Sequence, residues 1–92
     1  MSIKRYHITV IGRVQGVGYR YFTRDAAQNL GLSGWVRNTN DGRVELEIEG
    51  EQADIDKLIE KLREGPALSR VVDVEVQIMA AMNKGGEFFI KR

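Results

Sequence analysis

The sequence predicts an α+β fold of βαββαβ order, closed by a short extra strand at its C-terminal end. Three observations point to it. Alternation of apolar and polar residues marks four strand-like runs. Stretches with helical spacing separate the first run from the second and the third from the fourth. The strands carry charge on one face only, which implies an antiparallel sheet covered on one side. Two helices packed on the apolar side of that sheet make the ferredoxin-like, split-βαβ sandwich.

The first strand is read from Tyr6 to Ile11, where Tyr6, Ile8 and Val10 alternate with His7, Thr9 and Ile11. A helix follows from Tyr21 to Leu30, with Phe22, Ala26 and Leu30 on one face and Gly31 after its last turn. Ser33 to Asn38 is the second strand, and Thr39-Asn40-Asp41-Gly42 supplies the chemistry of a hairpin turn. In the third strand Val44, Leu46 and Ile48 face one way, and Arg43, Glu45, Glu47 and Glu49 the other. The second helix carries the stripe Ile55, Leu58, Ile59 and Leu62 and stops at Gly65-Pro66. In the fourth strand Val72, Val74, Val76 and Ile78 alternate with Asp73, Glu75 and Gln77. Phe88-Phe89-Ile90 is the short last strand.

The 92 residues form one domain, large enough for a single modest core. Apolar residues make up 42% and charged residues 29%, as in an ordinary globular protein. A net charge of +1 lacks the clustered positive charge of a nucleic-acid or membrane-surface binder. With no cysteine there is no disulfide, thiolate nucleophile or Cys-ligated zinc, and a cytoplasmic protein is expected. No apolar run approaches the roughly 20 residues of a membrane span. Met1-Ser2-Ile3-Lys4-Arg5 leads directly into a strand, with no signal-peptide pattern.

The segment most informative about function is Gly12-Arg13-Val14-Gln15-Gly16-Val17-Gly18-Tyr19-Arg20, between the first strand and the first helix. Its glycines allow a tight loop that turns backbone N–H groups inward and ends at a helix N-terminus. Unpaired amides and the positive end of the helix dipole meet there, an arrangement suited to an anion. Arg20 adds a planar guanidinium that bonds two phosphate oxygens at once. The Gly-Lys-Ser/Thr ending of a nucleotide-binding P-loop is absent, and Tyr21 stands where a dinucleotide fingerprint needs a third small residue. In a split βαβ unit the first two strands run parallel, flanking another strand. Their C-terminal ends therefore lie at one edge, and Asn38 is expected beside the loop and Arg20.

The segment Gly12 to Arg20, taken with Gly34-Trp35-Val36-Arg37-Asn38-Thr39-Asn40-Asp41-Gly42-Arg43-Val44-Glu45, closely resembles the two signature motifs of the acylphosphatases. The ending Gly86-Glu87-Phe88-Phe89-Ile90 resembles that family's ending as well. The resemblance runs from about Tyr6 to Lys91, and Tyr19 stands where many members have Phe. It implies hydrolysis of the carboxyl–phosphate anhydride of acyl phosphates to a carboxylate and inorganic phosphate. It also implies phosphate binding by the amides of Gln15, Gly16, Val17, Gly18, Tyr19 and Arg20, with Arg20 as the phosphate-binding arginine and Asn38 as the holder of the attacking water. No metal and no cofactor are expected. The partners implied are a small acyl phosphate and inorganic phosphate or similar anions, with no nucleic acid and no membrane, and the chain is expected to be a monomer.

Other residues are read more plainly. His7 lies well before the loop and is expected on the surface or in packing, not in catalysis. Glu45, Glu47 and Glu49 are read as a solvated face and not as metal ligands. Arg37 and Arg43 are expected as surface charges, and Trp35, Phe88 and Phe89 as core. Thr39 either supports the site or shapes the turn.

Three rival readings remain. RNA-recognition domains share the βαββαβ order but carry aromatics where this third strand carries carboxylates. The acylphosphatase fold also occurs at the N-terminus of a large carbamoyltransferase of hydrogenase maturation, whereas 92 residues match the free enzyme. A phosphate or acyl-phosphate sensor with weak turnover is the third.

Overall fold

A computed structural model describes residues 3–92; Met1 and Ser2, read above as part of the lead into the first strand, lie outside the described residues. The elements are β1 (Ile3–Arg13), α1 (Tyr19–Asn29), β2 (Ser33–Asn38), β3 (Val44–Glu51), α2 (Gln52–Glu64), β4 (Arg70–Met79) and β5 (Phe88–Ile90). The sheet order is β4-β1-β3-β2-β5. β1 pairs antiparallel with β3 and β4, and β2 antiparallel with β3. The short β5 joins β2 in parallel, so the expected antiparallel sheet is a mixed one at that edge.

Helix α1 packs over β2 and β5, and α2 over β3 and β4. Between the layers lie Ile8 and Val10 of β1, Val36 of β2, Leu46 and Ile48 of β3, and Ile55, Leu58 and Leu62 of α2, all fully buried. Each such aliphatic side chain contributes about 1.5–3 kcal/mol by leaving water. The buried face of α1 is Tyr19, Thr23, Ala26 and Ala27. The expected stripe of Phe22, Ala26 and Leu30 is therefore rotated, with Phe22 and Leu30 only half-buried. A polar Thr23 in the buried row hides that row from a hydrophobic pattern.

Three expectations about burial change. In β4 only Val74 of the apolar row is buried; Val72 and Ile78 are 71% and 76% exposed. β4 is an edge strand, so its side chains have strand neighbours on one side alone. Trp35 is not core: it is half-buried on the helix-free face, with the Arg37 guanidinium 5.7 Å and the Lys91 ammonium 4.5 Å from its ring centre. Phe88 is buried as expected, but Phe89, on the opposite side of β5, is exposed.

The carboxylate row of β3 is also not simply solvated. Arg5 on β1 reaches Glu47 at 2.6 Å and Glu49 at 3.3 Å, His7 reaches Glu45 at 3.1 Å, and Arg37 on β2 also pairs with Glu45. The result is a ladder of contacts across three strands, in which Arg5 pairs with Glu47 and Glu49 and Arg37 with Glu45, and His7 adds a hydrogen-bonded contact to Glu45; a network of this kind counts for more than an isolated surface pair. Glu49 further accepts 2.8 Å bonds from the backbone N–H groups of Met82 and Asn83, holding the segment between β4 and β5 to the sheet. Among the described residues no helix is long and apolar enough to cross a membrane.

Candidate active site

β1 and β2 both run antiparallel to β3, which lies between them, so they run parallel to each other. Their C-terminal ends share one edge. The loop 14–18 leaves β1 there, and Asn38 ends β2 there. Gly16 and Gly18 have φ of 73° and 77°, left-handed values that favour glycine. A Cβ at either position would meet nothing within 4 Å, so backbone conformation and not space calls for glycine.

Gly18 is the N-cap of α1, and no side chain caps the helix. The first N–H groups of a helix have no partner within it. Helix α1 begins at Tyr19, two residues earlier than expected, so Arg20 projects from the first helical turn and not from the loop. A cavity of about 190 Å³ lies at this point, lined by Val14, Gly16, Gly18 and Tyr19 on the loop side, with Arg20, Tyr21 and Asn38 around it. Arg20 and Asn38, distant in sequence, share one small site. Depressions of about 370 and 450 Å³ elsewhere lack this convergence of amides, guanidinium and carboxamide.

Asn38 carries the most telling detail: its Oδ1 is buried with no hydrogen-bond partner in the protein. An unmet buried acceptor costs about 1–3 kcal/mol, which a bound group or water removes. The Thr23 hydroxyl, one helical turn beyond Arg20, is the other buried side-chain polar atom without a partner among the described residues.

The remaining loop residues act through their side chains in other ways. Gln15 turns away from the cavity and donates from Nε2 to the carbonyls of Thr39 and Arg43, both at 2.8 Å. Val17 packs against the core. Tyr19 is buried and donates a 2.6 Å bond to the Leu62 carbonyl of α2, fixing the start of α1; burial pushes its phenol well above the usual range. Thr39 shapes the turn: its N–H donates to the Arg43 carbonyl at 2.9 Å, its hydroxyl accepts from the Arg43 N–H at 3.0 Å, and the hydroxyl also donates to Asp41. Arg37 is held by Glu45, and Arg43 lies 3.7 Å from Asp41. His7, paired with Glu45, lies on the helix-free face. The clamp made by Gln15 and the presence of Tyr21 at the cavity were not read from sequence. In the sequence motif Gln15 enters only as a backbone donor, and Tyr21 only as the first residue of a helix.

The sequence profile of the acylphosphatase family matches residues 6–90. The chain belongs to the acylphosphatase family. It is 48% identical over 90 residues to an acylphosphatase of Methylococcus capsulatus, covering 98% of each chain. The crystal structure of an acylphosphatase from Bacillus subtilis superposes with a TM-score of 0.93 at 38% identity, covering 97% of this chain and 99% of that one. The chain also superposes on a part of HypF from T. kodakarensis, with a TM-score of 0.84 at 36% identity, covering 97% of this chain but 12% of that one. The activity of this acylphosphatase is hydrolysis of acyl phosphates at the carboxyl–phosphate anhydride. The split-βαβ architecture superposes on that of the family over nearly its whole length.

Proposed function

We propose that the cavity holds the phosphoryl group of the acyl phosphate, cradled by the amides of residues 15–20 and the Arg20 guanidinium, while the Asn38 carboxamide positions the attacking water. The unpartnered, buried Oδ1 of Asn38, beside a cavity shared with Arg20, is the observation that carries this reading. A water donating to that oxygen satisfies it and is held at one side of a bound phosphoryl group.

The chemistry needs little else. The leaving carboxylate has a conjugate acid of pKa ~4, like an Asp or Glu side chain, and departs without a general acid. Phosphoryl transfer runs through a loose transition state, with charge spread over the equatorial oxygens. Fixed N–H and guanidinium donors aimed at those oxygens stabilise that charge without reorganisation. The held water completes the in-line geometry, and its proton passes to the substrate phosphate. The size of the cavity supports a site for the phosphoryl end alone.

The reaction on this reading needs no metal. Among the described residues, no three His, Asp or Glu side chains converge as a metal site. A monomer is proposed, and a chain without cysteine has no need of an oxidising compartment, consistent with the cytoplasm.

The test is turnover of an acyl phosphate by the chelator-dialysed protein, with inorganic phosphate as inhibitor. Undiminished turnover and competitive inhibition by phosphate are expected. Activity that chelation abolishes and magnesium or zinc restores, or phosphate that leaves the apparent affinity unchanged while a free carboxylate competes, overturns the reading.

A further inference from the structure

We propose that Tyr21, braced by Arg24, is the surface on which the acyl group of the substrate rests, and that it selects acyl phosphates with flat or apolar acyl groups. The inference rests on the cavity being the phosphoryl site and concerns the opposite end of the substrate.

An acyl phosphate has two ends, and a space of about 190 Å³ is small beside pockets that enclose a whole ligand, typically about 300–1,000 Å³. The acyl end therefore extends out of it. Its direction follows from the in-line requirement: attacking and leaving oxygens lie on opposite sides of the phosphorus. The attacking water belongs beside the buried Asn38 Oδ1, so the leaving carboxylate faces the open side.

The side chains lining the cavity leave one choice for that side. Val14 and Tyr19 are 1% exposed, the glycines offer no side chain, and Arg20 and Asn38 are half-buried and on the proposed reading serve the phosphoryl group and the water. Tyr21 lines the same cavity and is 51% exposed.

A solitary exposed aromatic residue needs no explanation, but this ring has a cation packed beside it. The Arg24 guanidinium, one helical turn on, lies 5.1 Å from the ring centre. Arg24 is in turn held by Asp25 at 3.1 Å. A contact that biases the ring's position before the substrate arrives lowers the ordering cost of binding. It offers an aromatic surface to an aryl or extended apolar acyl group, whereas an acetyl group is too short to cover it.

The experiment compares kcat/KM for benzoyl phosphate and acetyl phosphate in the unsubstituted chain and in Tyr21→Ala, Tyr21→Phe and Arg24→Ala, with the phosphate inhibition constant and unfolding midpoint of each. Aromatic contacts of this kind predict a benzoyl-to-acetyl ratio roughly tenfold lower in Tyr21→Ala. The ratio is retained in Tyr21→Phe and falls less in Arg24→Ala, which keeps the ring and removes only its brace. The phosphate inhibition constant stays near that of the unsubstituted chain. An unchanged ratio in Tyr21→Ala overturns the assignment, as does a parallel loss for both substrates together with weakened phosphate inhibition, which marks a ring that merely supports the loop. Hydrolysis of neither compound by the unsubstituted chain overturns the phosphoryl-site reading itself, an outcome distinct from an unchanged ratio.

Discussion

Gln15 and Thr39 join the two halves of the site: the Gln15 side-chain amide donates to the Thr39 carbonyl at 2.8 Å, and to the Arg43 carbonyl at the same distance. One end of this clamp is the loop between β1 and α1; the other is the turn that follows Asn38. Loop and carboxamide are therefore positioned relative to each other by a side chain, in addition to the sheet beneath them.

Gln15→Ala is expected to cost stability modestly and turnover more. Both carbonyls keep other donors, from the Gly42 and Thr39 N–H groups, so the loss is on the order of 1 kcal/mol. Relative displacement of the two halves is more damaging, since misplacement by about 1 Å can cost on the order of 10²-fold in rate. Gln15→Glu should not rescue turnover, because a carboxylate cannot donate to either carbonyl. Thermal unfolding and kcat/KM on the same preparations check this; a variant whose turnover matches the unsubstituted chain would remove the clamp from the account.

Arg20→Lys should not preserve activity. Lysine keeps the charge but loses the planar fork and its paired bonds to phosphate oxygens. The expected loss of transition-state stabilisation is on the order of 2–4 kcal/mol, as for a preorganised oxyanion donor. Near-normal kcat/KM in this variant would show that charge alone suffices.

Glu49 predicts an acid-dependent component of stability. Burial by itself raises its pKa, but the N–H groups of Met82 and Asn83, and then Arg5, favour the carboxylate more, and the net shift is downward. A carboxyl lowered by folding leaves the unfolded chain binding more protons across that range, so stability rises with pH there. The contribution is complete above the ordinary Glu pKa of about 4.3 and disappears as pH falls through the lowered value. The stability difference between the unsubstituted chain and Glu49→Gln should be full at neutral pH and close on acidification below that range. Urea unfolding across pH provides the measurement; a difference constant with pH would contradict it.

The alternation in β1 and β3 and the stripe of α2 were legible because each reflects burial against one continuous core, and burial is what a periodic pattern records. Arg5 and Glu47 were not legible as a pair, because strand register brings them together from distant parts of the chain. Trp35 looked like core because it is large and apolar. Its position opposite Glu47 instead places it on the charged face, where Arg37 and Lys91 cover it. At the site, the convergence of Arg20 and Asn38 could be read from topology. The Gln15 clamp and the unmet oxygen of Asn38 could not, since both depend on side-chain direction.

Asn38 separates chemistry from structure most sharply. Were it a turn-forming asparagine, its side chain would bond the backbone of residues 39–43, and alanine would cost about 1 kcal/mol of stability. The turn is instead bonded by Thr39, and the Asn38 Oδ1 has no partner in the protein. Asn38→Ala should therefore leave the unfolding midpoint unchanged or slightly raised. Its turnover should fall on the order of 10²–10³-fold, as when one preorganised polar group is lost. Phosphate inhibition should persist, because the cradle and Arg20 remain. That combination marks an interaction made with the nucleophile chiefly in the transition state. A folded Asn38→Ala protein with unimpaired turnover would take Asn38 out of the mechanism and leave the loop and Arg20 as the whole of the site.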